Sequence, residues 1–206
     1  MPGVRTVSVF LALLAITAQA TVLVAVVLVV ASRRWEGAAR LRDLLADELA
    51  PSALWLAFAV AAVATLGSLY YSEVAHFVPC RLCWYQRIAM YPLVPMLGLA
   101  AARGDLSVRR HAQVLVAVGV PISSLHVLIE RFPNLESSTC DPANPCSLIW
   151  VDTFGYLTIP TMALAAFALI GTLLVVAGRA DERVDDHQAP PTAAEDQVRP
   201  TRGAVR

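Results

Sequence analysis

The chain lacks lysine altogether and has few charged residues of any kind. All 16 of its basic residues are arginine, and only 16% of its 206 residues are charged, whereas soluble domains average about 25%. The formal net charge is zero, so the composition does not favour a nucleic-acid partner. Hydrophobic residues make up 57% of the chain and gather in runs near the roughly 20 residues that cross a bilayer. The composition therefore predicts an integral membrane protein and excludes a soluble domain with a large core.

Two common electron-carrier motifs are also missing. The chain has no glycine-rich dinucleotide fingerprint and no C-x-x-C-H haem-attachment motif. If the chain moves electrons, a lipid-soluble acceptor that enters between membrane helices is compatible with what remains. Cysteine is scarce as well, with four residues that form two close pairs in the sequence.

Five apolar segments predict five membrane helices. They cover about residues 7–31, 53–71, 84–102, 112–129 and 157–177. Pro92 and Pro95 interrupt the third segment and Pro121 the fourth. Proline predicts kinks there, since neighbouring helices can satisfy the carbonyl groups that it leaves free.

This pattern predicts an all-α integral membrane protein. Its core is a four-helix transmembrane bundle, residues 53–177, preceded by one extra transmembrane helix in residues 1–32. Residues 33–52 form a cytoplasmic connector, in which leucines at helical spacing predict a short helix packed on the membrane surface. Residues 178–206 lack apolar periodicity, which predicts a disordered cytoplasmic tail.

The first segment could instead be a cleaved signal peptide, because Ala18, Gln19 and Ala20 resemble a small-residue cleavage site. An uncleaved helix is favoured for two reasons. The apolar run continues well past that site to about Ala31, and cleavage would leave an arginine-rich loop outside.

The distribution of arginine predicts the orientation, since short loops rich in arginine stay in the cytoplasm. The loops after the first and third segments and the start of the tail carry Arg33, Arg34, Arg40, Arg42, Arg103, Arg109, Arg110, Arg179 and Arg183. The other loops, about residues 72–83 and 130–156, then face outward and contain both cysteine pairs. We expect a multi-pass protein of the cell membrane with its cysteines on the extracytoplasmic side.

A P-C-R-L-C-W-Y-Q-R run from Pro79 to Arg87 places a C-x-x-C dithiol at the start of the third segment. Such pairs often have a depressed thiol pKa, and the N–H groups of a helix start would favour a Cys83 thiolate. Arg87 lies four residues later on the same helical face, where its charge can stabilise a thiolate or an anionic acceptor. The alternative is a static disulfide, with Arg87 anchoring the helix at the lipid head groups.

Cys140 and Cys146 enclose two prolines and an asparagine, which predict a turn-rich loop. Such a loop can close a small disulfide and present it to solvent. Taken alone, the pair fits a structural staple as well as an exchange site. Two pairs on one membrane face could, however, exchange with each other.

Zinc is another possible role for four cysteines, because structural zinc often uses a C-x-x-C half-site. The second half-site here would be C-x5-C, no histidine lies within either motif, and the loops are predicted to be extracytoplasmic. We therefore expect no metal site.

Ionisable residues near the outer helix ends are further candidates, since charge at membrane depth is costly and often functional. His126 could donate a proton or a hydrogen bond to a quinone oxygen. The alternative is an interface pair with Glu130, four residues on. Glu130, Arg131 and Glu73 are expected at the head groups, and the apolar, aromatic stretch 148–154 along the outer interface.

The run that begins at Pro79 resembles the signature of the disulfide bond formation protein B family, especially its Gram-positive-type branch. The resemblance covers about residues 53–177, including the second cysteine pair and the G-Y-L-T-I-P run that begins at Gly155. It implies a four-helix membrane thiol oxidoreductase that passes electrons to a quinone (menaquinone or ubiquinone). Its partner would be an extracytoplasmic thioredoxin-like thiol oxidase, which it reoxidises so that secreted proteins acquire disulfide bonds.

The resemblance also implies residue roles. Cys80 and Cys83 match the quinone-linked pair, with Cys83 next to the quinone, and Arg87 matches the quinone-contacting arginine. Cys140 and Cys146 match the loop pair that reacts with the thiol oxidase. Cys140 is then the expected site of attack, and Cys146 the residue that relays electrons to Cys80.

The chain departs from the family pattern in two places. Its first helix is extra to the four-helix core. Only five residues separate Cys140 from Cys146, whereas some members have a wide gap, and this bears on which cysteine is attacked first.

Two other functions fit parts of the pattern. A vitamin K epoxide reductase-like protein shares the quinone chemistry, but its active C-x-x-C lies late in the core, whereas here the motif opens the second core helix. A non-enzymatic membrane protein with two structural disulfides would resist mild reductant and need no quinone.

Overall fold

The computed structural model describes residues 2–136 and 140–188. Within these residues the chain is helical, and its only β pairings are two isolated bridges in loops. The helices are α1 (Pro2–Ala31), α2 (Glu36–Leu49), α3 (Ala53–Leu69), α4 (Arg81–Met90), α5 (Leu93–Arg103), α6 (Val108–Arg131) and α7 (Ile159–Gln188). The predicted all-α fold is confirmed.

Four helical stretches in the described part of the chain are long and apolar enough to cross a membrane. They are Gly3–Ala31, Glu36–Val74, Val108–Arg131 and Ile159–Arg179. With the α4–α5 pair, they make the four-helix core and the extra N-terminal helix that the sequence predicts. The chain is thus a multi-pass membrane protein.

The third predicted segment is formed by two helices, α4 and α5, that meet at Tyr91 and Pro92. The expected kink there is a two-residue turn, because proline has no backbone N–H to continue the helix. Pro95 causes no second break, since it lies in the first turn of α5, where the backbone N–H groups have no partner within the helix.

The bundle has two ends that differ in chemistry. We call the end with Cys80 the cysteine end and the opposite end, with the turns that follow α1 and α5, the arginine end. Between them, the core packs side chains of α3, α5, α6 and α7 around the fully buried Phe167. Phe167 lies directly against the backbone of Gly119 on α6, where any larger residue would collide with the ring.

Helix α1 lies along α7, and both helices start at the cysteine end. Ala12, Ala15 and Ala18 are buried and pack with Leu157 and Ala165, just before and within α7. Small residues let two membrane helices approach closely, so this stripe explains why α1 binds the outside of the core.

The connector contains α2, as the leucine spacing predicts. Asp43 on α2 accepts hydrogen bonds at 2.8 Å from Arg42 and from Arg179 on α7, which ties the connector to the core. The side chains of Leu41, Leu44, Leu45 and Leu49 are exposed. A surface position on the membrane therefore stays a prediction for this helix.

Helix α7 continues to Gln188, whereas the sequence predicts an apolar segment that ends near Ala177 and disorder from residue 178. Residues 178–188 contain alanine, glutamate and arginine, which favour a helix, and no proline occurs before Pro190. Apolar periodicity was the wrong criterion here, because a helix that leaves a membrane does not need an apolar face. Residues 189–206 of the predicted tail lie outside the described residues.

Candidate functional site

The C-x-x-C pair lies at the start of α4, as the sequence predicts. Cys80 is the N-cap residue, and its sulfur accepts a hydrogen bond from the backbone N–H of Cys83 at 3.4 Å. The two sulfurs are 3.0 Å apart, and both cysteines are free thiols. Cys80 is buried and Cys83 partly buried. One of the N–H groups that a helix start leaves without a helical partner, that of Cys83, therefore points at the Cys80 sulfur.

The surroundings favour a thiolate at Cys80. Hydrogen bonding from the Cys83 thiol lowers the pKa of Cys80 well below the ordinary thiol value, and His126 lowers it further. The same contact raises the pKa of the Cys83 thiol, because its proton is held toward Cys80, and burial adds to the effect. The sequence-based expectation was a thiolate at Cys83. The difference arises chiefly because the Cys83 thiol donates to the Cys80 sulfur, and the backbone N–H of Cys83 points at the same atom.

His126 is buried on α6 and contacts both cysteine pairs. Its Nε2 atom lies 3.6 Å from the Cys80 sulfur and 3.0 Å from the backbone carbonyl oxygen of Cys146. Its Nδ1 atom lies 3.0 Å from the side-chain nitrogen of Gln86. With Gln86 donating to Nδ1, the network assigns the ring proton to Nε2, which donates it to the Cys146 carbonyl and faces the Cys80 sulfur.

Cys140 and Cys146 form a disulfide in a loop that is folded back onto the start of α4. Asp141 accepts a hydrogen bond from the backbone N–H of Ala143 at 2.9 Å, which makes the turn that the sequence predicts. The side chain of Asn144 donates to the carbonyl oxygen of Pro79 at 3.1 Å. This bond holds the loop pair against the C-x-x-C motif.

A carboxylate lies beside the loop disulfide. Glu136 accepts hydrogen bonds from the backbone N–H of Cys146 and, at 2.7 Å, from the hydroxyl of Ser147. One of its oxygens is within 4.8 Å of the sulfurs of both Cys140 and Cys146. The loop pair thus has a carboxylate neighbour, whereas the Cys80 sulfur accepts from the backbone N–H of Cys83 and faces Nε2 of His126.

The two cysteine pairs meet in one buried cluster. Cys80, Cys140 and Cys146 pack together with Leu82 and Ile129. Thiol exchange needs direct approach of one sulfur to another. The packing therefore supports the expectation that the two pairs exchange electrons.

A large apolar cavity opens beside Cys83, between α1, α3, α4 and α7. Its volume is about 320 Å³, within the range of ligand pockets. Cys83, Gln86 and Arg87 are the polar residues that α4 contributes to its wall. His126 is not among the residues that line it, since it lies behind Gln86 beside a much smaller cavity. A direct contact between His126 and a quinone stays a prediction.

Arg87 is held in place at the cavity wall. Its Nε and Nη2 atoms donate to the hydroxyl and the carbonyl oxygen of Ser68 on α3, both at 3.0 Å. Its guanidinium also lies over the Trp84 ring, 5.2 Å from the ring centre. Tyr91 donates to the same Ser68 hydroxyl at 3.2 Å. The positive charge is therefore fixed at the edge of an apolar space rather than free at the membrane surface.

One of two further residues of this region, Glu130, differs from expectation. Glu130, predicted at the head groups, is buried and accepts a 2.6 Å hydrogen bond from Thr158, so that part of the prediction is wrong. A helical wheel cannot reveal this, because Thr158 comes from a distant loop. Trp150 stacks on Phe77 at 4.9 Å, and Phe77 in turn stacks on Tyr71. Trp150 is also exposed, so its position along the outer interface stays a prediction.

Among the residues that the structure describes, two groups of side chains have a spacing that a metal ion could use. Cys80, Cys83 and His126 form one, and Glu136 with the loop cysteines forms the other. The second group cannot supply zinc thiolates while Cys140 and Cys146 are joined in a disulfide. The expected absence of a metal site stays a prediction.

Three residues at this site carry little signal in the sequence. Gln86 lies within the C-x-x-C signature, three residues after Cys83, and its position on that helical face could have singled it out. Ser68 and Glu136 are ordinary polar residues in the sequence, and only the tertiary contacts with Arg87 and Cys146 reveal them.

Comparison with known proteins agrees with this geometry. The family model described as disulfide bond formation protein DsbB matches residues 51–177. The chain is similar to disulfide bond formation protein C of Bacillus subtilis, with 45% identity over 118 residues, which are 57% of this chain and 86% of the relative. It is also similar to a probable disulfide formation protein of Deinococcus radiodurans, with 45% identity over 131 residues, 59% of this chain and 85% of the relative.

No solved structure matches the chain. The family match nevertheless covers more than half of it, and it includes both cysteine pairs and the four-helix core. The α1 helix lies outside the matched residues. The chain therefore belongs to the DsbB family of membrane disulfide formation proteins, in its Gram-positive-type branch, and its activity is thiol–disulfide oxidoreduction.

Proposed function

We propose that the protein reoxidises an extracytoplasmic thioredoxin-like thiol oxidase and passes the electrons to a quinone. The observation that carries this proposal is the position of Cys83. It lies between a buried cluster that contains the loop disulfide and an apolar cavity that has a fixed arginine in its wall. The distribution of arginine supports an extracytoplasmic position for the cysteine end in the cell membrane.

The first exchange takes place at the loop pair. A thiolate of the reduced partner attacks the Cys140 sulfur, the Cys140–Cys146 bond breaks, and Cys146 leaves as a thiolate. Cys140 is the better target, because Cys146 is more fully buried and its carbonyl group is bound by His126. The partner's second thiolate then attacks the mixed disulfide, which releases Cys140 and leaves the partner oxidised.

The second exchange transfers the electron pair to α4. Starting from a Cys80–Cys83 disulfide, the Cys146 thiolate attacks Cys80, and Cys83 is released. The Cys140 thiolate then attacks Cys146, which restores the loop disulfide and leaves Cys80 and Cys83 as thiols. The structure has this last arrangement, with a closed loop disulfide and two free thiols on α4.

The residues around the cavity suit a quinone. Its apolar wall matches an isoprenoid tail, and the guanidinium of Arg87 can donate to a ring oxygen. A quinone bound there would supply an acceptor for two electrons and two protons. Cys83 would face it directly, and Cys80 would close the disulfide with Cys83 as the pair is oxidised. Menaquinone and ubiquinone both fit this description.

The test is turnover of purified full-length protein with a reduced thioredoxin-like partner and a soluble quinone, followed by quinone absorbance. We expect turnover that Cys83→Ser abolishes and Arg81→Gln, an exposed change on the same helix, leaves intact. Normal quinone reduction by the Cys83→Ser protein would overturn the scheme. Absence of turnover with several quinones and partners, with both disulfides intact, would favour a structural role.

A further inference from the structure

The cavity beside Cys83 is not built by the family core alone. The N-terminal helix α1 contributes Leu11, Leu14, Ala15, Thr17 and Ala18 to its wall. All five lie outside residues 51–177, which the family model matches. Part of the space next to the reactive thiol is therefore enclosed by a segment that the core does not include.

Contacts at the cysteine end attach α1 to the last turn of α3 and to the helical turn Tyr70–Val74 that follows it. The hydroxyl of Tyr71 donates to Ser8 at 3.0 Å, and both side chains are buried. Leu11 lies over Gly67, where a β-carbon would come 2.9 Å from its Cδ1 atom. A side chain at Gly67 would therefore require Leu11 to shift.

Along the rest of its length, α1 is supported by α7. The buried stripe of Ala12, Ala15 and Ala18 packs with Leu157 and Ala165. The helix therefore bridges the cleft between α3 and α7. Leu14 and Thr17 lie on the part of α1 that spans this cleft, and both line the cavity.

We propose that α1 is a wall of the electron-acceptor site and contacts the apolar tail of the bound quinone through Leu14. The proposal rests on the proposed quinone function and adds a tail-binding element to it. The ring of the quinone faces Cys83 and Arg87, which belong to the core. The tail has to leave the cavity through apolar walls, and α1 closes one of them.

The matched variants are Leu14→Ala and Leu13→Ala. Both remove the same atoms from the same helix, and both side chains are exposed, but only Leu14 lines the cavity. Losing one apolar side-chain contact corresponds to about tenfold weaker binding. We therefore expect Leu14→Ala to bind a long-tailed quinone about tenfold more weakly than the wild type. Binding of a tail-less quinone should change less than twofold in either variant.

Binding is measured on full-length protein in nanodiscs by quenching of tryptophan fluorescence, since Trp150 lines the cavity. Thiol trapping without quinone serves as a second readout, and we expect the partner to reduce the loop disulfide equally in all three proteins. Equal affinity of Leu14→Ala and wild type for the long-tailed quinone would overturn the role of α1 and leave the proposed function standing. A wild type that binds neither quinone would overturn both.

Discussion

The two cysteine pairs share one buried cluster but differ in the polar groups nearest their sulfurs. Cys80 and Cys83 lie at a helix N-terminus, where the backbone N–H of Cys83 and Nε2 of His126 face the Cys80 sulfur. Cys140 and Cys146 lie in a loop, with the carboxylate of Glu136 beside both sulfurs. Donors stabilise the thiolates of a reduced pair, and a carboxylate destabilises them.

This difference gives the exchange a direction. A disulfide is a stronger oxidant when its reduced form is stabilised, so the helix pair should draw electrons from the loop pair. For a two-electron couple, a gap of about 30 mV corresponds to roughly 1.4 kcal/mol, so modest electrostatic differences are sufficient. The same fold thus holds a donor pair and an acceptor pair in contact.

The largest expected effect comes from removing one sulfur from each pair. Cys140→Ser and Cys80→Ser should each reduce turnover on the order of 10³-fold or more, because each removes a covalent step. The point of arrest should differ. Quenched thiol trapping should show that the partner stays reduced when it is mixed with Cys140→Ser. With Cys80→Ser, the loop disulfide can oxidise at most one equivalent of partner before the reaction stops. Identical trapped species in the two variants would contradict separate roles for the pairs.

Arg87 is expected to come next. In Arg87→Gln the fixed charge at the cavity is lost, and hydrogen bonds to charged groups are worth about 1.5–3 kcal/mol. The quinone concentration for half-maximal rate should therefore rise roughly 10- to 100-fold. Arg81→Gln, on the same helix but exposed, is the control and should match the wild type. Equal behaviour of the two variants would show that the charge is not used at this cavity.

His126 should affect the exchange between the pairs. In His126→Ala the ring N–H that faces Cys80 and the Cys146 carbonyl is lost, and we expect the loop-to-helix transfer to slow about tenfold. His126→Gln can keep a donor near the position of Nε2 and should recover part of the rate. Rapid-quench thiol trapping without quinone measures this step. A normal transfer rate in His126→Ala, together with weakened quinone binding, would support direct quinone contact instead.

Glu136 tests the other side of the comparison. Glu136→Gln keeps an oxygen that can accept hydrogen bonds but removes the charge beside the loop sulfurs. The reduction potential of the loop pair should rise on the order of 30 mV, because its reduced form is no longer repelled by a carboxylate. Titration in glutathione buffers measures the change. Asp152→Asn, an exposed acid in the same loop region, should leave the potential unchanged.

The smallest effect concerns pH. Because the pKa of Cys80 is lowered chiefly by the Cys83 thiol, its thiolate persists as the pH falls below the ordinary thiol pKa. The rate of Cys80 alkylation falls as the thiolate is protonated. We therefore expect this fall at a lower pH in Cys83→Ser, which keeps a hydroxyl donor, than in Cys83→Ala. The ratio of rates across pH within each variant is the measurement. Coincident profiles would show that the second sulfur is not the donor.

Local patterns in the sequence predict the helices and the position of the first cysteine pair well. The C-x-x-C run, the leucine spacing in the connector and the apolar segments each depend on neighbours within a few residues. The position of the break at Pro92 could be predicted. Whether it is a kink or a full turn between two helices depends on how α4 and α5 pack. The end of α7 could not be located from apolar periodicity, because residues 178–188 favour a helix but have no apolar face.

Long-range contacts are what the sequence could not supply. His126 and Cys146 are 20 residues apart, and Tyr71 and Ser8 are 63 apart. No periodicity links them, so the neighbours of His126, the burial of Glu130 and the part that α1 takes in the cavity appear only in the structure. The choice of thiolate within the C-x-x-C pair also depended on which thiol donates to the other.

The packing of α1 on α7 has a consequence for biosynthesis. The ribosome makes α1 first, yet its partner stripe around Leu157 and Ala165 is made more than a hundred residues later. Until α7 enters the membrane, α1 has only lipid and the early helices beside it. The cavity wall near Cys83 is therefore completed last, after both cysteine pairs have been synthesised. A stalled or truncated chain would carry reactive thiols beside an incomplete acceptor cavity.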